Sequence, residues 1–232
     1  MVTDDPLDNR QAERDIMVAE QIAARGITNP RLLQAMRTIP RHRFIPPATD
    51  AWNRAYMDGA QTIGEGQTIS QPYIVALMSD ALQLTGTERV LEIGAGSGYQ
   101  TAILSQLAAE VVAIERIPML AERAQKVLNE LGVTNVRLLV GDGSQGWMPL
   151  APYDCILAAA VAPQVPPALK NQLTPGGRLV LPVGEEGKRQ ELLLLKRTET
   201  GEFITESLGD VAFVPMIGAS GFGLPDDLGA VE

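Results

Sequence analysis

The chain of 232 residues carries 28 acids against 19 bases, a formal net charge of −9, with 45% hydrophobic residues, one cysteine and one histidine. That suits one α/β domain with a full core and excludes an internal disulfide, a zinc-ligand cluster and a broad basic face for nucleic acid. Acidity gathers at the ends, where residues 1–15 and 219–232 each carry net −3, and no apolar run reaches the roughly 20 residues of a membrane span.

Residues 1–12 read as a disordered acidic tail and 219–232 as a flexible one, around a single domain over 13–218. Its first part, 13–85, is expected to hold helices and a loop, and its second, 86–218, a sheet. Ile16, Ala19, Ile22 and Ala23, then Leu32, Leu33 and Met36, recur at helical spacing and are broken at Gly26 and Pro30, which predicts two helices outside the sheet. Residues 40–47 are expected to cross in extended form because prolines disfavour helix on both sides. Within them His42 reads as structural, and Arg41 and Arg43 leave room for a local basic patch with Arg37. After the glycine-bearing stretch 64–72, Ile74, Leu77, Met78, Ala81, Leu82 and Leu84 mark a helix with Ser70 at or near its N-cap.

Strands are predicted near 89–93, 111–115, 136–140, 154–159, 177–183, 190–196 and 208–214, with helices near 99–108, 117–131 and 165–172. This alternation predicts a mostly parallel seven-stranded sheet covered on both faces. The short connection around 199–202 reads as a hairpin and leaves one antiparallel strand. Cys155, inside a strand, reads as a small buried hydrophobe.

The strand Val90-Leu91-Glu92-Ile93 runs into Gly94-Ala95-Gly96-Ser97-Gly98-Tyr99. Glycines let the backbone turn sharply and approach a ligand, while the following helix presents its unpaired N–H groups. A dinucleotide fingerprint needs its third glycine where Tyr99 stands; here it comes one residue early, at Gly98. The pattern Glu92, Gly94, Gly96, Gly98 instead resembles the first motif of S-adenosylmethionine-dependent methyltransferases. That resemblance implies their Rossmann-like fold with extra N-terminal helices, and cofactor contacts from these four residues with Ala95 and Ser97. Glu115 ends the next strand about 20 residues on, the spacing of a ribose-binding carboxylate, with Arg116 beside it. Asp142, followed by Gly143, is placed to accept from an adenine amino group, although its flanking glycines also suit a plain turn. Trp147 and Met148 belong either to the adenine pocket or to the core.

Gly66-Gln67-Thr68-Ile69-Ser70-Gln71-Pro72 narrows the resemblance to the protein-L-isoaspartate (D-aspartate) O-methyltransferase family. Met17 to Ile27, Pro40 to Phe44, Gly141 to Trp147, Leu173 to Gly184 and Phe213 to Pro215 are similar to that family's segments in the same order, over roughly 13–218. The resemblance implies methylation of the carboxylate exposed by isoaspartyl or D-aspartyl residues, and closure of the ester to a succinimide that hydrolyses back towards aspartate. Damaged proteins are then the partners, S-adenosyl-L-homocysteine the product and no metal is needed; the chain is expected to be a cytoplasmic monomer without membrane or nucleic-acid partners. Ser70 matches the active-site serine. Thr68, Ile69, Gln71 and Tyr73 fall in the loop that wraps the methionine part of the cofactor, and Ile63, Ala160, Val161, Ala162 and Val183 are implied to border the peptide. Ala159 and Val161 depart from the family's usual threonine and alanine, and residues 57–63 lack the expected prolines.

A carboxylate with a reference pKa near 3.5 is already ionised at neutral pH, so attack on a methyl sulfonium needs no general base. Charge disappears along the path, which a dry pocket favours. Holding the reacting atoms in line contributes roughly 7–11 kcal/mol. Ser70 either orients the acceptor by hydrogen bonding or serves only as a cap worth about 1 kcal/mol.

Overall fold

A computed structural model of the chain describes residues 10–185 and 187–223. Residues 1–9 and 224–232, most of the two expected tails, lie outside the described residues. Helix α1 (Gln11–Ile16) continues into a wider π turn, Met17–Ile22, and a 3-10 turn, Ala23–Arg25. It starts inside the stretch read as a tail because Arg10 anchors it: Nη1 donates to the Trp52 carbonyl at 2.7 Å, and the guanidinium lies over the Trp52 ring. Helix α2 (Pro30–Thr38) opens with Asn29, whose side chain accepts from the Arg31 and Leu32 amides.

Residues 40–47 are not extended throughout, since Arg41–Phe44 forms a 3-10 turn. The prolines restrain only their own φ and the residue before them. Between them, burial of Arg41, His42 and Phe44 decides the turn. His42 is structural: its Nδ1 lies 2.7 Å from the Tyr56 hydroxyl. Arg41 is fully buried, so the expected surface patch with Arg37 and Arg43 does not form.

Helix α3 (Asp50–Asn53) is capped by the Thr49 hydroxyl. A two-stranded ribbon, β1 (Gln61–Gly64) with β2 (Gln67–Ile69), is an addition to the predicted elements. Its turn residues Glu65 and Gly66 sit at φ 54° and 68°, the left-handed pair that matches the twist of a tight hairpin. Helix α4 (Pro72–Ala81) has Gln71 as its N-cap and Pro72 in its first turn. Ser70 therefore stands one residue before the cap.

The chain then alternates through β3 (Arg89–Ile93), α5 (Tyr99–Ser105), β4 (Glu110–Glu115), α6 (Pro118–Glu130), β5 (Val136–Val140), β6 (Tyr153–Ala158), α7 (Pro167–Asn171) and β7 (Leu173–Gly184), and ends in β8 (Gln190–Arg197) and β9 (Phe203–Val211). The seven-stranded sheet has the order β5-β4-β3-β6-β7-β8-β9, parallel except for β8, which is antiparallel to both neighbours. A second hairpin, between β7 and β8, makes the penultimate strand the reversed one. β9 also starts before the predicted 208, because Thr198 and Glu202 close a short loop through a 2.8 Å backbone bond. Alternate residues face opposite sides, as a doubly covered sheet requires. Val90, Val111, Cys155 and Leu157 belong to the core with the N-terminal helices, α4, α5 and α6, while Leu91, Val112, Ile156 and Leu179 pack with Leu169 of α7. β3 is flanked by β4 and β6, so the chain leaves it towards one side and returns on the other. The crevice this opens beyond the strand ends is where open α/β sheets take ligands.

Candidate active site

The turn after β3 is pinned to the end of β4, with Gly94 and Ala95 amides donating to the Ile114 carbonyl at 2.9 and 3.1 Å. Gly94, Gly96 and Gly98 lie at φ 78°, 53° and 85°. At Gly98 a Cβ would come 2.9 Å from the Ala124 Cβ, so this glycine admits α6 against the turn rather than touching a ligand. Glu115 closes the turn from the other side: Oε2 accepts the Gly96 amide at 2.7 Å and Oε1 the Ile117 amide at 2.8 Å. Each of its oxygens retains a second lone pair for a ligand hydroxyl.

One cavity collects much of the predicted cofactor set: Thr68, Ile69, Gly94, Ala95, Gly96, Ser97, Glu115, Arg116 and Gly143 line it, together with Ser70 and Ala160. A groove of about 440 Å³ adjoins it, lined by Ala60, Gln71, Ile74 and residues 210–214. Cavity and groove meet at Thr68, Ser70, Ala159 and Val214. Among the described residues the Ser70 hydroxyl has no hydrogen-bond partner, whereas its carbonyl accepts from Arg41 Nη2 at 2.7 Å.

Several predicted contacts fall elsewhere. Glu92 does not line the cavity; it is fully buried in β3, and neither carboxylate oxygen has a hydrogen-bond partner among the described residues. Burial pushes its pKa up to about 8, the Thr101 hydroxyl opposes that rise and the Glu115 charge adds to it. Asp142 also stands behind the wall, with Oδ1 accepting the Ser144 amide at 2.9 Å and Oδ2 the Ala219 amide at 2.8 Å. Burial raises its pKa, but these bonds and the Arg116 charge together hold it below the usual carboxylate value. Tyr73 lies outside the cavity under the Arg25 guanidinium.

Of the five residues implied to border the peptide, only Ala160 lines the cavity. Ile63, 1% exposed, sits behind the glycine turn and lines a second cleft with Phe44, Pro46 and Leu120, which meets the cavity at Gly96 and Ser97. Val161 and Ala162 are fully buried, and Val183 pairs with Ala162. Val161 lies under a strap that follows β9: its amide donates to the Val214 carbonyl at 2.9 Å, and the Met216 amide to its carbonyl at 2.8 Å. Ala159, the other departure from the family pattern, does face both cavity and groove.

The strap supplies a wall that the site prediction missed, Val214, Pro215, Met216 and Ile217. Its continuation is fixed through Ala219 on Asp142 and Ser220 on the Ser144 hydroxyl, so the segment expected to be flexible from 219 is held at its start. The Phe213-Val214-Pro215 resemblance was the available signal for it. Trp147 and Met148 do not line the cavity, and Trp147 packs into the core.

Among the described residues no group of His, Cys, Asp and Glu is arranged to hold a metal, and no helix is long and apolar enough to cross a membrane. A parallel sheet opening at its switch point, a glycine turn exposed to the cavity and a strand-end carboxylate fit S-adenosylmethionine, and they define a Rossmann-like S-adenosylmethionine-dependent methyltransferase. The family model for protein-L-isoaspartate(D-aspartate) O-methyltransferase matches residues 12–221, and the chain belongs to that family. It is 54% identical over 211 residues to protein-L-isoaspartate O-methyltransferase 1 of Rhodopseudomonas palustris (strain HaA2), covering 91% of this chain and 85% of the relative. With the Trichlorobacter lovleyi protein-L-isoaspartate O-methyltransferase it shares 52% over 216 residues, 93% of this chain and 98% of the relative. A solved protein-L-isoaspartate O-methyltransferase aligns with TM-score 0.79 at 26% identity, over 91% of this chain and 67% of that one. The Plasmodium falciparum structure, solved with S-adenosyl-L-homocysteine, gives TM-score 0.75 at 23% identity over 88% and 98%, and shares the fold.

Proposed function

We infer that the chain methylates the free carboxylate of isoaspartyl and D-aspartyl residues in damaged proteins, with Ser70 orienting the acceptor, and so starts repair through a succinimide. The observation that carries this reading is the position of Ser70, on the seam between the glycine-turn cavity and the open groove. When bound, S-adenosylmethionine supplies an activated methyl group. The acceptor carboxylate is ionised at neutral pH, so the chain needs no base at the seam. The Ser70 hydroxyl, unpartnered among the described residues, donates to that carboxylate and fixes its approach. Glu115 holds the glycine turn through Gly96 and accepts from ribose hydroxyls with its remaining lone pairs. Ile69, Val75, Met78 and the strap residue Met216 exclude water, which strengthens every polar contact inside.

The groove beside the seam is lined mainly by small and apolar groups, Ala60, Ile74, Ala212 and Phe213, and suits a peptide segment. The reading includes a monomer working in the cytoplasm; the net charge of −9 argues against a nucleic-acid substrate. The test is transfer of labelled methyl from S-adenosylmethionine to an isoaspartyl peptide beside its normal aspartyl twin. Base-labile label in the isoaspartyl peptide alone is expected. Equal labelling, or none with the cofactor bound, overturns the acceptor assignment. For Ser70, the Ser70→Ala variant is expected to lose turnover with little change in thermal stability.

A further inference from the structure

Arg41 is fully buried and has no carboxylate partner among the described residues, an expensive arrangement for a guanidinium. Its Nε donates to the Ala55 carbonyl and its Nη2 to the Ser70 carbonyl, both at 2.7 Å. Nη1 has no partner among the described residues, and the guanidinium carbon lies 5.0 Å from the centre of the Tyr99 ring. Burial draws its pKa down to about 10, which leaves it cationic at neutral pH.

Those contacts meet at one place in the mechanism. Ala55 and Ser70 are the two ends of the excursion that carries β1 and β2, and Tyr99 is the first residue after the cofactor glycines. One guanidinium thus ties the base of the acceptor loop to the start of α5. The other side of Ser70 is tethered less directly: Gln71 Nε2 donates to Asp58 Oδ1 at 2.7 Å, and Asp58 pairs with Arg25.

We propose that Arg41 is a positioning residue for methyl transfer: its planar fork sets Ser70 against the glycine turn, and so controls turnover rather than cofactor affinity. The inference rests on the reading of Ser70 given above. Arginine is required because its donors are rigidly spaced and reach two carbonyls while the flat cation covers the Tyr99 ring; a lysine ammonium lacks that planar fork.

The test is a double-mutant cycle of Arg41→Lys with Ser70→Ala on the full chain, using an isoaspartyl peptide and labelled S-adenosylmethionine. S-adenosyl-L-homocysteine affinity is read by calorimetry and folding by thermal unfolding. Misplacement of an acceptor by about 1 Å costs on the order of 100-fold. Arg41→Lys is therefore expected to lower kcat by roughly 10- to 100-fold, with peptide KM and S-adenosyl-L-homocysteine affinity within about twofold. In the Ser70→Ala background the same change is expected to cost less than about twofold more, because the residue acts through Ser70. A full additional loss in that background, or a parallel loss of S-adenosyl-L-homocysteine affinity, overturns the inference. If Arg41→Lys does not fold, the uncharged Arg41→Gln takes its place; if neither folds, Arg41 is a stability residue and the inference fails. Unchanged kcat in Ser70→Ala fails the reading of Ser70 first, and wild-type methylation of the peptide tells that apart from loss of the acceptor assignment.

Discussion

Replacing Glu92 with glutamine removes an ionisation that the folded chain resists. The carboxyl is fully buried with no hydrogen-bond partner on either oxygen among the described residues, and burial raises its pKa to about 8 against an ordinary 4.5, while Thr101 opposes its neutralisation and Glu115 favours it. A group whose folded pKa is raised contributes its full stability below the unfolded value and loses it as pH rises through the folded one. At pH 7 the unfolded chain has already ionised Glu92 while the native state keeps it protonated, a cost on the order of 3 kcal/mol from 1.36 kcal/mol per unit. Glutamine has the shape of the protonated acid and does not titrate. Glu92→Gln is therefore expected to match the wild type near pH 4 and to exceed it progressively through neutrality. At pH 7 that corresponds to a rise in Tm of roughly 6–12 °C for a chain of this size. Urea unfolding of the cofactor-free protein, followed by tryptophan fluorescence at pH 4, 5, 6, 7 and 8, measures the difference curve. A gap that is constant with pH would refute the reasoning, because it would place the effect in packing rather than in a proton.

Glu115→Gln is expected to weaken S-adenosyl-L-homocysteine binding at least about tenfold in calorimetry, because a charge-assisted hold on the Gly96 amide is lost together with the proposed ribose acceptor. Gly98→Ala combines a left-handed φ of 85° with a Cβ 2.9 Å from Ala124, and is expected to cost about 2–4 kcal/mol in denaturant unfolding. Glu88 accepts from the Thr85, Gly86 and Thr87 amides and the Thr85 hydroxyl, and these bonds hold its pKa down at about 2 despite burial. Its contribution is present above about pH 4.5 and fades as pH falls towards 2, so Glu88→Gln should flatten the acid side of the stability curve between those values.

What the sequence disclosed depended on how local the cause was. Val90 to Gly98 and Val111 to Glu115 were legible because a buried strand and a glycine turn are written in neighbouring residues, and the place of Ser70 beside the cavity because its surrounding motif is specific. The turn at 41–44 was not, since a fully buried arginine between prolines is decided by carbonyls at positions 55 and 70. The hairpin at 61–69 turns on Glu65 in a left-handed conformation that its side chain does not advertise. Glu92, Asp142, Val161 and Val183 were assigned to ligands by place in a motif. The first is buried in its strand, the second caps Ser144 and holds Ala219, Val161 underlies a strap that pairs across more than 50 residues of chain, and Val183 pairs with Ala162.

That strap has a consequence for how the protein is made. The cavity draws its walls from Gln67 through Ile217, and its last wall is the segment that leaves the ribosome after β9. Strands β3 to β6 can condense while synthesis continues, but the Val161 backbone groups that will receive Val214 and Met216 stay unpaired until those residues emerge. A nascent chain stalled before Val214 would carry the glycine turn and Ser70 with one side of the cavity open to water. The full stabilisation by a ligand then arrives late, as a lock on a nearly finished chain.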